Sequence, residues 1–199
     1  MPRISEERRD QRRSDILDAA RRCFARSGFA RATLQDVFTE SGLSAGCVYG
    51  YFQSKRDLVL AIAEERHVQE RQALEAAAAE EDPLDAIKMM MRQIFNVYLT
   101  KVAEEKRRLS LVTWSEALFD EAVLASSRVG TAEPRKALTA ILRRGQKTGA
   151  VRKEINAEAM AAAMVSMFQG LLLHKIWDPS MSLSAVTDAC DQLLEGLRA

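Results

Sequence analysis

The sequence predicts an all-α fold, a small N-terminal helix-turn-helix followed by a larger helical body, about nine helices in all. Three observations carry this. Apolar residues recur at spacings of three and four along nearly the whole chain, and no stretch alternates long enough to read as a strand. Of 199 residues only 4 are Pro and 9 Gly, too few for a turn-rich β fold. Hydrophobic residues make up 47% and charged residues 29%, which supplies a core and excludes a disordered chain.

The first helix is expected over residues 6–27, where Ile16, Ala20, Cys23 and Phe24 recur on a charged background and Gly28 follows as a stop. Thr33 reads as the N-cap of a second helix, Leu34-Gln35-Asp36-Val37-Phe38, which ends near Ser41 because Gly42 supplies the left-handed residue of a tight turn. Leu43 enters that turn. Ser44 caps a third, short helix over residues 45–52, and Gln53-Ser54 break it. Ser54 caps a fourth, longer helix from Lys55 to about residue 80. Helix, glycine turn and short helix at this size form a helix-turn-helix, whose second helix enters the DNA major groove. The domain boundary is placed there, with a DNA-binding domain over 1–57 and a helical effector-binding and dimerisation domain over 58–199.

Beyond Asp82-Pro83 a fifth helix carries Leu84, Ile87, Met91, Ile94, Phe95, Tyr98 and Val102 on one face. Leu109, Val112, Trp114, Leu118 and Phe119 belong to a sixth. Gly130 and Pro134 interrupt the next region, where Pro134 either kinks a long helix or starts a new one. Leu138, Ile141 and Leu142 carry it on to Gly149. Asn156 caps a helix running to about Trp177, and Ser182 starts the last one, ending near Leu197.

Charge is unevenly spread. Residues 1–57 hold eleven Arg and Lys against eight Asp and Glu, and the first 31 residues hold nine Arg against five acids. The rest of the chain is slightly acidic. A basic end on a mildly acidic body suggests a polyanion met at one end only. Cys23, Cys47 and Cys190 are too few and too scattered for a disulfide framework or a zinc site. No glycine-rich phosphate loop, nucleophile elbow or His-x-x-x-His pattern is present, so neither an enzyme nor a cofactor is expected. The charged N-terminus has no apolar core of a secretory signal. The apolar run 160–176 is interrupted by Ser166, Gln169, His174 and Lys175 and reads as a helix buried on both sides, not a membrane span. A soluble, cytoplasmic protein is expected.

Gly46-Cys47-Val48-Tyr49-Gly50-Tyr51-Phe52-Gln53-Ser54-Lys55-Arg56-Asp57-Leu58 resembles the recognition helix of the TetR family and the start of its next helix. Thr33-Leu34-Gln35-Asp36-Val37 and Ser41-Gly42-Leu43-Ser44 resemble the family's second helix and turn. Ile16-Leu17-Asp18-Ala19-Ala20, Phe24 and Gly28-Phe29 resemble its first helix. The sequence departs from the family at Phe38, where a small residue is usual; Phe38 can fill the space left by Ala19 or Ala20. The resemblance implies phosphate contacts by Thr33, Tyr49, Tyr51 and Lys55, and a base-facing surface of Gln35, Ala45, Gly46, Cys47 and Gly50, with Ser44 also among the DNA-binding residues. It further implies a homodimer on a (pseudo)palindromic double-stranded DNA operator and release by a small-molecule effector.

The residue chemistry agrees with those roles. A short helix that meets base edges needs small residues there, and tyrosine hydroxyls beside it can donate to phosphates. An ammonium at Lys55 can neutralise a phosphate. Gly50 and Ala45 carry no hydrogen-bonding side chain, so base readout falls to Gln35, to thymine methyls and to DNA shape, with Arg31 a further backbone contact. The alternative for Tyr49 and Tyr51 is half-buried packing.

In the body, Met89, Met90, Ile94, Phe95, Tyr98, Trp114, Phe119, Met164, Met167, Phe168 and Leu171 are expected to line a pocket for a hydrophobic or aromatic effector, thioethers and rings suiting varied apolar shapes. Val165, Leu172, Leu183, Val186, Cys190, Leu193 and Leu197 are expected at a dimer interface made by the last two helices. Glu116 and Asp120 read as solvated surface, His67 as exposed and His174 as an interface histidine. A regulator without any small ligand, or an activator, is the alternative reading.

Overall fold

The first apolar stripe winds into α1 (Glu6–Arg31), which breaks at Gly28, whose φ of 74° favours a residue without a Cβ. A computed structural model describes residues 6–78, 80–100 and 103–199 of the chain. Among them the remaining helices are α2 (Leu34–Ser41), α3 (Ala45–Tyr49), α4 (Lys55–Ala78), α5 (Pro83–Tyr98), α6 (Glu104–Glu116), α7 (Glu121–Thr148), α8 (Ala157–Trp177) and α9 (Leu183–Glu195). Val102, expected on the fifth helix, lies outside the described residues.

Most of these helices begin where a short polar side chain can answer the free N–H groups of a first turn. Asp82 accepts from Leu84 N and Asp85 N at 2.8 and 3.1 Å, with Pro83 opening α5. Asn156 accepts from Ala159 N at 2.9 Å and Ser182 from Ala185 N at 3.3 Å. Asp120, expected on the open surface, caps α7 instead, accepting from Ala122 N and Val123 N at 2.9 and 3.1 Å.

Two compact units result. The first comprises the residues up to Glu65 together with Arg108–Ser127, the second Arg66–Arg107 together with Arg128–Ala199. The first unit is centred on Ile16, Leu17, Phe24, Val37, Phe38, Val48 and Phe52, to which α4 adds Leu58, Val59 and Ile62 and the α6–α7 region Ala117 and Val123. It therefore reaches past residue 57, because the opening turns of α4 bury their apolar side here. In the second unit Leu84, Ile87, Phe95, Leu142, Val151 and Leu172 are fully enclosed. Lys88 to Glu195 and Arg92 to Asp191, each 2.5 Å, tie α5 to α9. The one pairing of extended backbone among the described residues, Val151 with Arg198, is accompanied by Arg152 N donating to Leu197 O at 3.0 Å.

Several expectations are corrected. α6 ends at Glu116, and Leu118 and Phe119 sit in the following turn 77% and 84% exposed, so Phe119 lines no pocket. Gly130 and Pro134 lie inside one continuous α7. His67 is 4% exposed, not open to solvent: it packs where a Cβ on Gly130 would come within 2.6 Å of its Nε2. Within α8 only Ala157, Ala161, Leu172 and Lys175 are buried, so this single chain does not enclose the helix on both sides.

Candidate nucleic-acid interface

Three caps position the reading surface. Thr33 and Asp36 form a reciprocal box: Asp36 N donates to Thr33 Oγ1 at 3.1 Å, and Thr33 N and Oγ1 donate to Asp36 Oδ2 at 2.7 and 2.8 Å. These bonds from Thr33 hold the Asp36 carboxyl below its ordinary pKa. Gly42, at φ 67°, ends α2 and turns the chain, and Ser44 Oγ accepts from Cys47 N at 3.3 Å to start α3. Ser54 and Asp57 then repeat the box at the start of α4, with Ser54 N to Asp57 Oδ2 at 3.0 Å and Asp57 N to Ser54 Oγ at 3.2 Å.

α3 is shorter than expected, five residues, and continues as a turn through Gly50 N to Gly46 O and Phe52 N to Val48 O. Its inner side is Val48, fully buried, with Phe52 beneath the guanidinium of Arg13 at 5.7 Å. Its outer side is Ala45, Gly46, Tyr49 and Gly50, all exposed, with Cys47 half-buried. Thr33, Gln35 and Ser44 are exposed as well. The structure thus gathers these positions around α2 and α3, with the small residues Ala45, Gly46 and Gly50 exposed beside Tyr49.

Two tyrosines flank it differently. Tyr49 is 43% exposed and leans edge-on against Phe38, ring centroids 5.5 Å apart. Phe38, the departure noted above, is 8% exposed and supports this tyrosine. Tyr51 is half-buried and packs against the unit's core. Lys55 turns the other way: Nζ donates to the carbonyls of Phe29 and Ala32, both at 2.8 Å, and sits 4.7 Å above the Phe29 ring. In this conformation its ammonium closes the end of α1 and does not face outward.

Other cations of the unit are partly consumed. Arg22 and Arg26 share Glu40 at 2.7 and 3.2 Å, lowering that carboxyl's pKa, and Arg56 holds Asp120 at 2.5 Å. Arg31 is exposed and donates to the carbonyl of Ser27 through Nε at 3.1 Å.

The residues expected to line an effector pocket divide. Trp114, half-buried, and Phe119 belong to the first unit. In the second, Met90, Phe95 and Tyr98 are buried, and Met89, Ile94, Met164, Met167, Phe168 and Leu171 are half-buried. Tyr98 meets Phe168 edge-on at 5.7 Å, joining α5 to α8. Of the expected dimer residues, Leu172, Cys190 and Leu197 are 1%, 4% and 7% exposed and pack inside their own unit; a helix ridge facing inward cannot also face a partner. Val165, Leu183 and Val186 are half-buried and Leu193 is 64% exposed. Trp177, also 67% exposed, lies edge-on to the exposed His174.

Residues 16–62 match the family model of bacterial regulatory proteins of the tetR family, and residues 83–199 that of the C-terminal region of BetI-type transcriptional repressors. The chain is 27% identical to the transcriptional regulator TtgR of Pseudomonas putida, over 86% of this chain and 83% of TtgR. It is 28% identical to a transcriptional repressor of Mycobacterium tuberculosis, over 94% of this chain and 95% of that protein. Among solved structures it resembles SmeT, repressor of a multidrug efflux pump of Stenotrophomonas maltophilia, with a TM-score of 0.78, 25% identity and coverage of 94% of this chain and 90% of SmeT. SmeT has also been solved in complex with triclosan.

Proposed function

The chain belongs to the TetR family of bacterial transcriptional regulators, and from that premise we propose that it is a homodimeric repressor freed from its operator by a small hydrophobic or aromatic compound. The observation that carries the DNA-binding half is the exposed, small-residued outer side of α3, presented by three capped helix starts and backed by Val48 and Phe52. Ser44, Ala45, Gly46, Cys47, Gly50 and Gln35 face base edges, and Tyr49, Tyr51, Thr33 and Arg31 hold the phosphates on either side. Two such surfaces in a symmetric dimer suit an inverted repeat whose half-sites lie about 34–36 Å apart, and the protein acts where the genome is, in the cytoplasm.

Support for dimerisation comes from α8, long and apolar yet little covered by its own chain, and from Leu193 on α9. A second copy pairing these helices removes that surface from water. Support for the effector comes from the ring contact of Tyr98 on α5 with Phe168 on α8, and from SmeT, whose complex holds triclosan. α4 contributes its opening turns to the reading unit and its later turns to the second unit, so it is the element through which an effector changes DNA affinity.

Linkage fixes the test. If a compound lowers operator affinity by some factor, operator must lower the compound's affinity by the same factor. Titration of triclosan and related compounds, followed by Trp114 and Trp177 fluorescence with and without operator, should show this reciprocity. Met164→Trp and Phe168→Trp should blunt the response while operator binding persists. Saturable binding that leaves DNA affinity unchanged would identify a regulator not controlled by that ligand.

A further inference from the structure

Arg107 of α6 is 4% exposed. A buried guanidinium is costly unless its charge and its donors are answered. Arg107 answers them in part: Nη1 donates to the carbonyls of Tyr98 and Thr100, both at 2.7 Å, at the end of α5. Its Nε is buried and has no acceptor. Among the described residues no carboxylate pairs with it, and the acid that acts on it through space, Glu104, is exposed. Burial lowers the pKa of Arg107, but a guanidinium remains charged throughout the physiological range. A full positive charge is thus held on two neutral carbonyls with its Nε donor unspent.

That position adjoins the end of α5 that carries Tyr98. The carbonyl of Tyr98 that Arg107 grips belongs to the residue whose ring meets Phe168, and Phe95 is one helical turn earlier. Lys55 makes a similar grip on α1 but is only half-buried, and none of its polar atoms is left enclosed and unanswered.

We propose that Arg107 is the anion receptor of the effector site, and that the effector is an amphipathic organic acid, an apolar body carrying one carboxylate or similar oxyanion. This rests on the reading that the second unit holds an effector. A carboxylate placed against Nε and Nη2 receives two parallel charge-assisted hydrogen bonds and neutralises the buried charge, while its apolar body lies along Phe95, Tyr98 and Phe168.

The test is calorimetry on the full chain with matched probes, decanoate against decanol and 2-naphthoate against 2-naphthamide, at neutral pH. The parent should bind each acid at least about tenfold more tightly than its neutral counterpart, as expected for a charge-assisted pair. Arg107→Met should erase that preference, and Arg107→Lys, which keeps the charge but not the fork, should reduce it. Equal binding of acid and neutral probe by the parent overturns the proposal and leaves the effector reading standing. A preference that survives Arg107→Met also overturns it. If Arg107→Met does not fold by circular dichroism, an undiminished preference in Arg107→Lys overturns it instead. Failure of all four probes to bind overturns this proposal, while the triclosan titration decides separately whether the effector reading stands.

Discussion

Lys55 spends its ammonium on the chain's own backbone, and that choice separates a stabilising role from a DNA-contacting one. Lys55→Ala leaves two carbonyls without their charged donor, so urea denaturation should show a loss of about 1–3 kcal/mol. The slope of log affinity against log salt should stay at the parent value. A slope reduced by about one unit would put Nζ on a phosphate instead. Gln35 is the longest polar side chain on the exposed reading surface. Gln35→Ala should relax preference at one base position per half-site in a binding selection, at a cost of about 1–3 kcal/mol against the preferred base. An unchanged selected sequence would remove Gln35 from the readout. Much at this scale was legible beforehand: Thr33, Ser44 and Ser54 are cap residues by type and spacing, and all three accept the expected backbone donor. The direction of Lys55 was not, because an ammonium after a cap serves a phosphate or a neighbouring carbonyl equally well. Arg107 was not either, since it lies in the charged run Glu104-Glu105-Lys106-Arg107-Arg108, which reads as a solvated face.

At the scale of elements, close packing and one charge network can be tested separately. A Cβ on Gly145 of α7 would lie 2.5 Å from Val151 Cγ2, and Val151 is fully buried and branched at Cβ. Alanine gains up to about 1 kcal/mol of helix propensity there, but overpacking costs about 1–3 kcal/mol, so Gly145→Ala should be destabilising on balance. A variant as stable as the parent would show that the Val151 segment yields. At the end of α9, Arg198 first and Lys88 second hold the Glu195 carboxyl down to about 2, and Asp82 is lowered beside them by the backbone N–H groups it caps and by Arg198. A carboxyl depressed by folding contributes stability that is present above its ordinary pKa of about 4.3 and is lost as pH falls toward the folded value. The melting-temperature gap between parent and Glu195→Gln should therefore be open near neutral pH and close toward about pH 2; because these groups are exposed, salt should shrink it. A gap independent of pH would mean that Glu195 acts through packing. Helix starts were readable from the sequence because a cap is a local device. The continuity of α7 through Gly130 and Pro134 was not, since two helix-breaking residues describe a boundary and a tolerated interior position alike. The same limit applies to α6, where Leu118 and Phe119 extend the apolar spacing beyond the helix itself.

For the whole molecule, apolar periodicity marks which faces leave water but not what covers them. It therefore gave Leu172, Cys190, Leu193 and Leu197 alike to a partner, whereas their own chain buries the first two and Leu197 and leaves Leu193 exposed. Charge placed on the exposed side of α9 should accordingly split the dimer: Leu193→Glu is expected to elute as a folded monomer in size exclusion with light scattering and to lose cooperative operator binding. A dimer unaffected by Leu193→Glu would place the interface elsewhere. The central claim is that two copies present their α3 surfaces to one operator. Its most direct test is selection of genomic fragments by the purified protein, followed by footprinting on the strongest. One shared inverted repeat is expected, its half-site centres about 34–36 Å apart, protected on both halves and lost on scrambling either. Retrieval without a shared sequence, or protection of a single unrepeated half-site, would contradict it.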